Sequence, residues 1–134
     1  MKAIFKTTLC SAFLLLVSFA GNAQARLTIE NNSMRQMTVK VMKGSSGKGT
    51  LHESVNISAY GSETVYFSES AYYFTKTKAV LKGKEPVFRK GQSFQVTNDE
   101  NGYSVYTLTF SIKESSIPQA TGGKSISKQE FEQN

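Results

Sequence analysis

From Tyr106 to Ile112 the chain alternates strictly. Tyr106, Leu108, Phe110 and Ile112 are apolar, and Thr107, Thr109 and Ser111 between them carry hydroxyls. A period of two sends alternate side chains to opposite faces of a strand, so one face belongs to a core and the other to solvent. The whole run, residues 103–112 (YSVYTLTFSI), is rich in Thr, Tyr, Phe and Val, which suit a pleated, half-buried surface. At about ten residues it reaches the upper end of strand lengths and predicts a central strand with neighbours on both sides.

The rest of the chain repeats this signal in shorter pieces. Leu27 and Ile29 alternate with polar neighbours, and Asn31-Asn32-Ser33 follows with turn chemistry. Met37, Val39 and Val41 alternate with Thr38, Lys40 and Met42 as the second arm of a hairpin. Residues 44–49 (GSSGKG) hold three glycines and predict a flexible polar loop. They do not make a phosphate-cradling loop. That motif must open a helix, whereas Leu51, Val55 and Ile57 alternate as a strand, with Glu53 out of place on their face. Val65 and Phe67 oppose Tyr66. In residues 71–80, Tyr72, Phe74, Lys76, Lys78 and Val80 share one face, and Tyr73, Thr75, Thr77 and Ala79 the other. Short strands at residues 87–89 and 93–97 flank Lys90-Gly91-Gln92. Strands at roughly ten-residue spacing without an amphipathic helix predict an all-β fold, an antiparallel β-sandwich of about seven to eight strands. The domain covers residues 26–113. Residues 114–124 (ESSIPQATGGK) read as a polar linker, and Ser127 with Glu130 forms a capping box before Phe131. One or two helical turns could form in that tail, but so short a helix is marginal alone. The tail, residues 114–134, is therefore expected to fray more readily than to dock through Ile126 and Phe131.

Asp99-Glu100-Asn101-Gly102-Tyr103-Ser104-Val105 resembles the tyrosine corner of immunoglobulin-like and fibronectin type III-like sandwiches. The resemblance implies that the Tyr103 hydroxyl bonds back to upstream backbone and that Val105 points into the core, where those domains carry cysteine. The alternative is a plain hairpin loop, residues 98–102, between Phe94–Val96 and the last strand. Both lead to a sandwich, and neither implies a function.

The first 25 residues read as a secretory leader. Lys2 and Lys6 precede the apolar run at residues 9–20, and Ala23-Gln24-Ala25 has the small-x-small pattern of a cleavage site. Cleavage after Ala25 leaves residues 26–134, 109 in all, with fourteen basic and ten acidic side chains and a net charge of +4. Cleavage after Ala23 would leave that reading intact. The only cysteine, Cys10, lies in the leader and not at the cleavage point. The exported chain therefore has no disulfide and no thioether lipid anchor, and must rely on its core. Those features predict a bacterial periplasmic or secreted protein with no transmembrane segment after cleavage. The charge is too modest for nucleic-acid binding.

Catalytic chemistry finds little support. His52 is the only histidine, Asp99 the only aspartate, and no Gly-x-Ser-x-Gly elbow occurs, so no triad, zinc site or aspartate-rich calcium loop can be built. No cofactor is implied. The expectation is a non-enzymatic protein. Its one concentration of binding-type residues is basic and aromatic: Tyr72, Tyr73, Lys76, Lys78, Lys82, Lys84, Arg89 and Lys90. This face predicts a binding module at the cell envelope. Its partner would be an anionic surface polysaccharide, a lipid headgroup or an acidic protein. The same lysines also suit a guarded sheet edge. The alternative role is structural, joining a neighbour by strand addition or through the C-terminal tail. Asn31-Asn32-Ser33 and Asn56-Ile57-Ser58 also match glycosylation acceptors.

Overall fold

The computed structural model describes residues 24–45, 48–114, 119–120 and 123–134; of the leader expected at residues 1–25, the first 23 residues lie outside them. Among the described residues the elements run β1 (Ala25–Asn32), β2 (Gln36–Ser45), β3 (Lys48–Ile57), β4 (Ser62–Phe67), β5 (Ala71–Val80), β6 (Val87–Lys90), β7 (Phe94–Val96), β8 (Asn98–Asp99), β9 (Gly102–Tyr103), β10 (Val105–Lys113), β11 (Gln119–Ala120), β12 (Lys124–Ser125) and α1 (Lys128–Glu132). Eight of the strands have three or more residues. The fold is all-β, as the alternation predicts.

Two sheets face each other. One has the order β11-β10-β1-β4, and the other β12-β6-β5-β2-β3, with β7 also paired to β5. Every pairing is antiparallel except β1 with β10, which run parallel from Arg26↔Val105 to Asn32↔Ser111. The core is the set of inward residues that the period of two picks out. It includes Leu27 and Ile29 of β1, Met37, Val39 and Val41 of β2, Val65 and Phe67 of β4, Tyr73 and Ala79 of β5, and Phe110 of β10. Each Val, Leu, Ile, Met or Phe among them contributes roughly 1.5–3 kcal/mol when fully buried.

Several details depart from the sequence reading. β10 has a neighbour on each side, as its length predicts, but unequally: β1 runs along residues 105–111, whereas β11 pairs with Ile112 and Lys113 alone among the described residues. Gly44 and Gly49 are no free loop but register partners in an extended hairpin, where a Cβ on Gly44 would lie 2.2 Å from the Lys48 carbonyl oxygen. Only glycine lets the two backbones approach that closely. Neither reading of residues 98–105 holds as stated: a small local hairpin forms, but it does not join β7 to β10, because β7 pairs with β5 and β10 with β1 in the other sheet. β8 and β9 pair, Tyr103 stands 45% exposed and Val105 53%. The tyrosine that bonds upstream is Tyr106, whose hydroxyl donates to the Gln95 carbonyl at 2.5 Å. Asn31 is buried and its Nδ2 donates to the carbonyls of Arg35 (2.7 Å) and Ser58 (3.0 Å), so this acceptor motif serves the fold.

The tail docks. β12 pairs with β6, the Ile126 amide donates to the Phe88 carbonyl (3.1 Å), and Phe131 is buried. Ser127 caps α1 as the capping box predicts, accepting from the Glu130 amide at 3.0 Å. Tertiary contacts hold what five residues of helix could not hold alone.

Candidate functional site

The predicted basic and aromatic face does not stay together as a surface. Tyr73 points inward and is 1% exposed, its ring 4.5 Å from that of Phe67. Burial pushes its hydroxyl pKa up. Tyr72 is exposed on the opposite face of β5, and Lys82 and Lys84 are exposed in the turn before β6. Arg89 leaves Lys76, Lys78 and Lys90 by strand alternation, and donates instead to the Gly123 carbonyl (2.5 Å) and to Ser125 (3.2 Å).

Lys76 is the largest departure from expectation. It is 4% exposed because α1 and the residues after it lie across the outer face of β5. Its Nζ donates to the carbonyls of Glu130 (2.8 Å) and Gln133. Lys40 Nζ donates to the Phe131 carbonyl (3.0 Å) and to Asn134 Oδ1 (2.8 Å), and Lys90 Nζ to Glu130 Oε2 (2.5 Å). The Phe131 ring lies 5.6 Å from that of Phe88, with Lys40 Nζ 4.7 Å and Lys78 Nζ 5.7 Å from its centroid. Cations thus gather at the carbonyl end of the helix, where its dipole favours them. Burial first, and the neighbouring Lys40 charge second, push the Lys76 pKa down, while the hydrogen bond from Lys90 holds Glu130 below the usual carboxylate range.

The second feature is a groove that the sequence did not announce. Along one side the sheets close onto each other. There His52 bridges β3 and β4, its Nε2 donating to the Tyr66 carbonyl (2.9 Å) and its ring stacked 5.0 Å from Phe67. A bulge makes this contact. Val41 pairs with Glu53 and Met42 with Leu51, leaving His52 as the extra residue, turned toward the core. Along the other side, between β10 and the β6–β7 connection, the sheets stay apart around a cavity of about 860 Å³. Tyr106, Leu108 and Phe110 of β10 face Thr75, Thr77 and Phe94 across it. Phe94 and Tyr106 meet edge to face at 5.4 Å. Gly123 and Lys124 line it where the chain crosses from β11 to β12. Tyr106 is 37% exposed and Leu108 half-buried, because no further strand covers them among the described residues. Alternation marked these residues as core-facing but could not tell that the opposite sheet stops short of them.

Among the described residues no three or more His, Cys, Asp or Glu side chains are placed to hold a metal ion, and no helix is long and apolar enough to cross a membrane. No protein-family model, no curated protein and no solved structure matches this chain.

Proposed function

We propose that this chain is an exported, non-catalytic β-sandwich that acts as a binding module at the bacterial cell envelope, taking an extended segment of a partner protein as an added strand along β10. The observation that carries this reading is an unpaired strand edge with an apolar groove directly beside it. Residues 105–110 pair with β1 on one side only among the described residues. Their outward amides and carbonyls offer a ladder, and alternate side chains of an added strand turn into the cavity between Leu108 and Phe94. Residues 105–111 also contain no charge and no proline, the usual devices that keep a free edge from pairing. The leader-like pattern of the first 23 residues, a basic start, an apolar run and Ala23 at a cleavage motif, supports the compartment.

Display of random peptides of about nine residues, the length of β10, against the immobilised full chain tests the reading. Selected binders should be apolar at alternate positions and protect the amides of residues 105–110 from hydrogen exchange. Their affinity should change little with salt, since backbone pairing is not screened as exposed charges are. Leu108→Lys, which puts a charge into the groove, should abolish capture, and Tyr72→Ala should leave it intact. Binders that protect other strands, or whose capture survives Leu108→Lys, would sink the idea.

A further inference from the structure

Lys40, Lys76, Lys90 and Lys124 are successive register partners across β2, β5, β6 and β12. Register partners project to the same face, so four ammonium groups leave the outer side of the sheet in one line, with strands roughly 4.8 Å apart. Like charges directly opposite one another on neighbouring strands are destabilising, and this row contains three such juxtapositions. Lys78 adds a fifth charge one step away, opposite Phe88.

What the chain sets against this row is mostly neutral. Glu130 supplies one carboxylate, to Lys90. Among the described residues, Lys40 and Lys76 donate to carbonyl and amide oxygens, of Glu130, Phe131, Gln133 and Asn134. Those oxygens satisfy hydrogen bonds without cancelling charge. The cover is also light: in the five-residue helix α1 the one buried side chain is Phe131. Beneath it lies Phe88, whose ring would be bared beside the lysines if the segment lifted.

We propose that the lysine row is a binding site for a linear acidic polysaccharide, and that residues 126–134 occupy it as an intramolecular competitor. A carboxylate is what Lys90 already holds, and a uronic acid polymer presents one on every sugar. Phe88 gives such a polymer an aromatic face to stack on, which a bare phosphate chain would not use. The row projects from the outer face of the six-stranded sheet and meets the groove only at its Lys90 and Lys124 end, so the proposal stands whether or not β10 accepts a strand.

Polygalacturonate is the probe, titrated into the full chain at low salt, with dextran and poly-L-glutamate as comparisons. Polygalacturonate should bind with an affinity that falls as salt rises, and dextran should not bind. Binding should speed hydrogen exchange at the Phe131 amide, which is bonded to the Ser127 carbonyl at 3.0 Å in the free protein. Phe131→Ala, and independently Ser127→Ala, should tighten binding about tenfold, because less of the protein is then covered. Lys40→Gln combined with Lys124→Gln should weaken it about tenfold, while Lys82→Gln with Lys84→Gln changes it less than about twofold. The proposal is overturned if the polymer binds with Phe131 still protected, if neither cover variant binds more tightly, if poly-L-glutamate binds as well, or if the Lys82/Lys84 pair matters equally.

Discussion

The Arg35 guanidinium, wholly buried, grips the Glu114 carboxylate through two parallel hydrogen bonds, Nε to Oε2 at 2.7 Å and Nη2 to Oε1 at 3.2 Å. Its Nη1 donates to the carbonyls of Ala79 (3.2 Å) and Glu85 (2.8 Å), so one side chain ties the β1–β2 turn, the end of β5 and the residue after β10. Ser33 completes the turn, donating to Asn31 Oδ1 (2.6 Å) and accepting from the Arg35 amide (3.2 Å).

Removing one partner leaves the other charge buried and unpaired. Glu114→Gln should cost about 3–5 kcal/mol in urea denaturation, the usual loss when such a pair is broken. By contrast, Lys43→Gln, which breaks the exposed pair with Glu69, should leave the denaturation midpoint almost unchanged.

Acid should act through the same pair. The hydrogen bond from Arg35 holds Glu114 below the usual carboxylate range, and Lys90 does the same for Glu130. A carboxyl with a folded value below its unfolded one, about 4.3, stabilises the fold above that pH and loses the contribution as pH falls through the folded value. Unfolding free energy should therefore drop below about pH 4, and more steeply in the wild type than in Glu114→Gln. Equal slopes in the two proteins would contradict this.

Positions of the same parity on β10 should differ. Phe110 is 5% exposed, and Phe110→Ala should cost about 3–5 kcal/mol. Leu108 lines the open cavity, and Leu108→Ala should cost under half as much, because solvent already reaches the site. Thr109→Ala, which loses a hydrogen bond to Glu30 at the surface, should cost about 1 kcal/mol or less. Thermal or chemical melts of the three variants check the order.

Gly123 has a φ of +76°, and a Cβ there would sit 2.0 Å from the Lys90 carbonyl oxygen. Gly123→Ala should therefore lift β12 from β6 and loosen α1 with it. Amide exchange should accelerate at Ile126 and Phe131 and stay unchanged in β1, β2 and β5. Uniform acceleration throughout the sandwich would count against a locally held tail.

The mature N-terminus should be Gln24. Ala25 is fully buried at the start of β1, paired with Phe67, and its amide donates to Asn98 Oδ1 at 3.3 Å. Cleavage after Ala23 keeps these contacts and cleavage after Ala25 removes them. N-terminal sequencing of exported protein distinguishes the two.

Alternation alone determined the strands and most of the core: Leu27, Ile29, Met37, Val39, Val65, Phe67 and Phe110 face inward as their period requires, because a pleated strand has no other way to arrange successive side chains. The capping box of α1 was equally local, a matter of Ser127 and Glu130 three residues apart. Pairing was not local. Nothing in residues 105–110 tells that β1 lies parallel on one side while no strand pairs with the other among the described residues, since that depends on where a strand about 80 residues away in sequence ends up. The bulge at His52 reversed one side chain that a strict period sends outward. Lys40, Lys76, Lys90 and Lys124 look like four unrelated surface lysines until register sets them side by side. The buried fork of Arg35 and Glu114 joins residues 79 positions apart. Tertiary structure decided these features, because each depends on which strands become neighbours, and residue period carries no record of that.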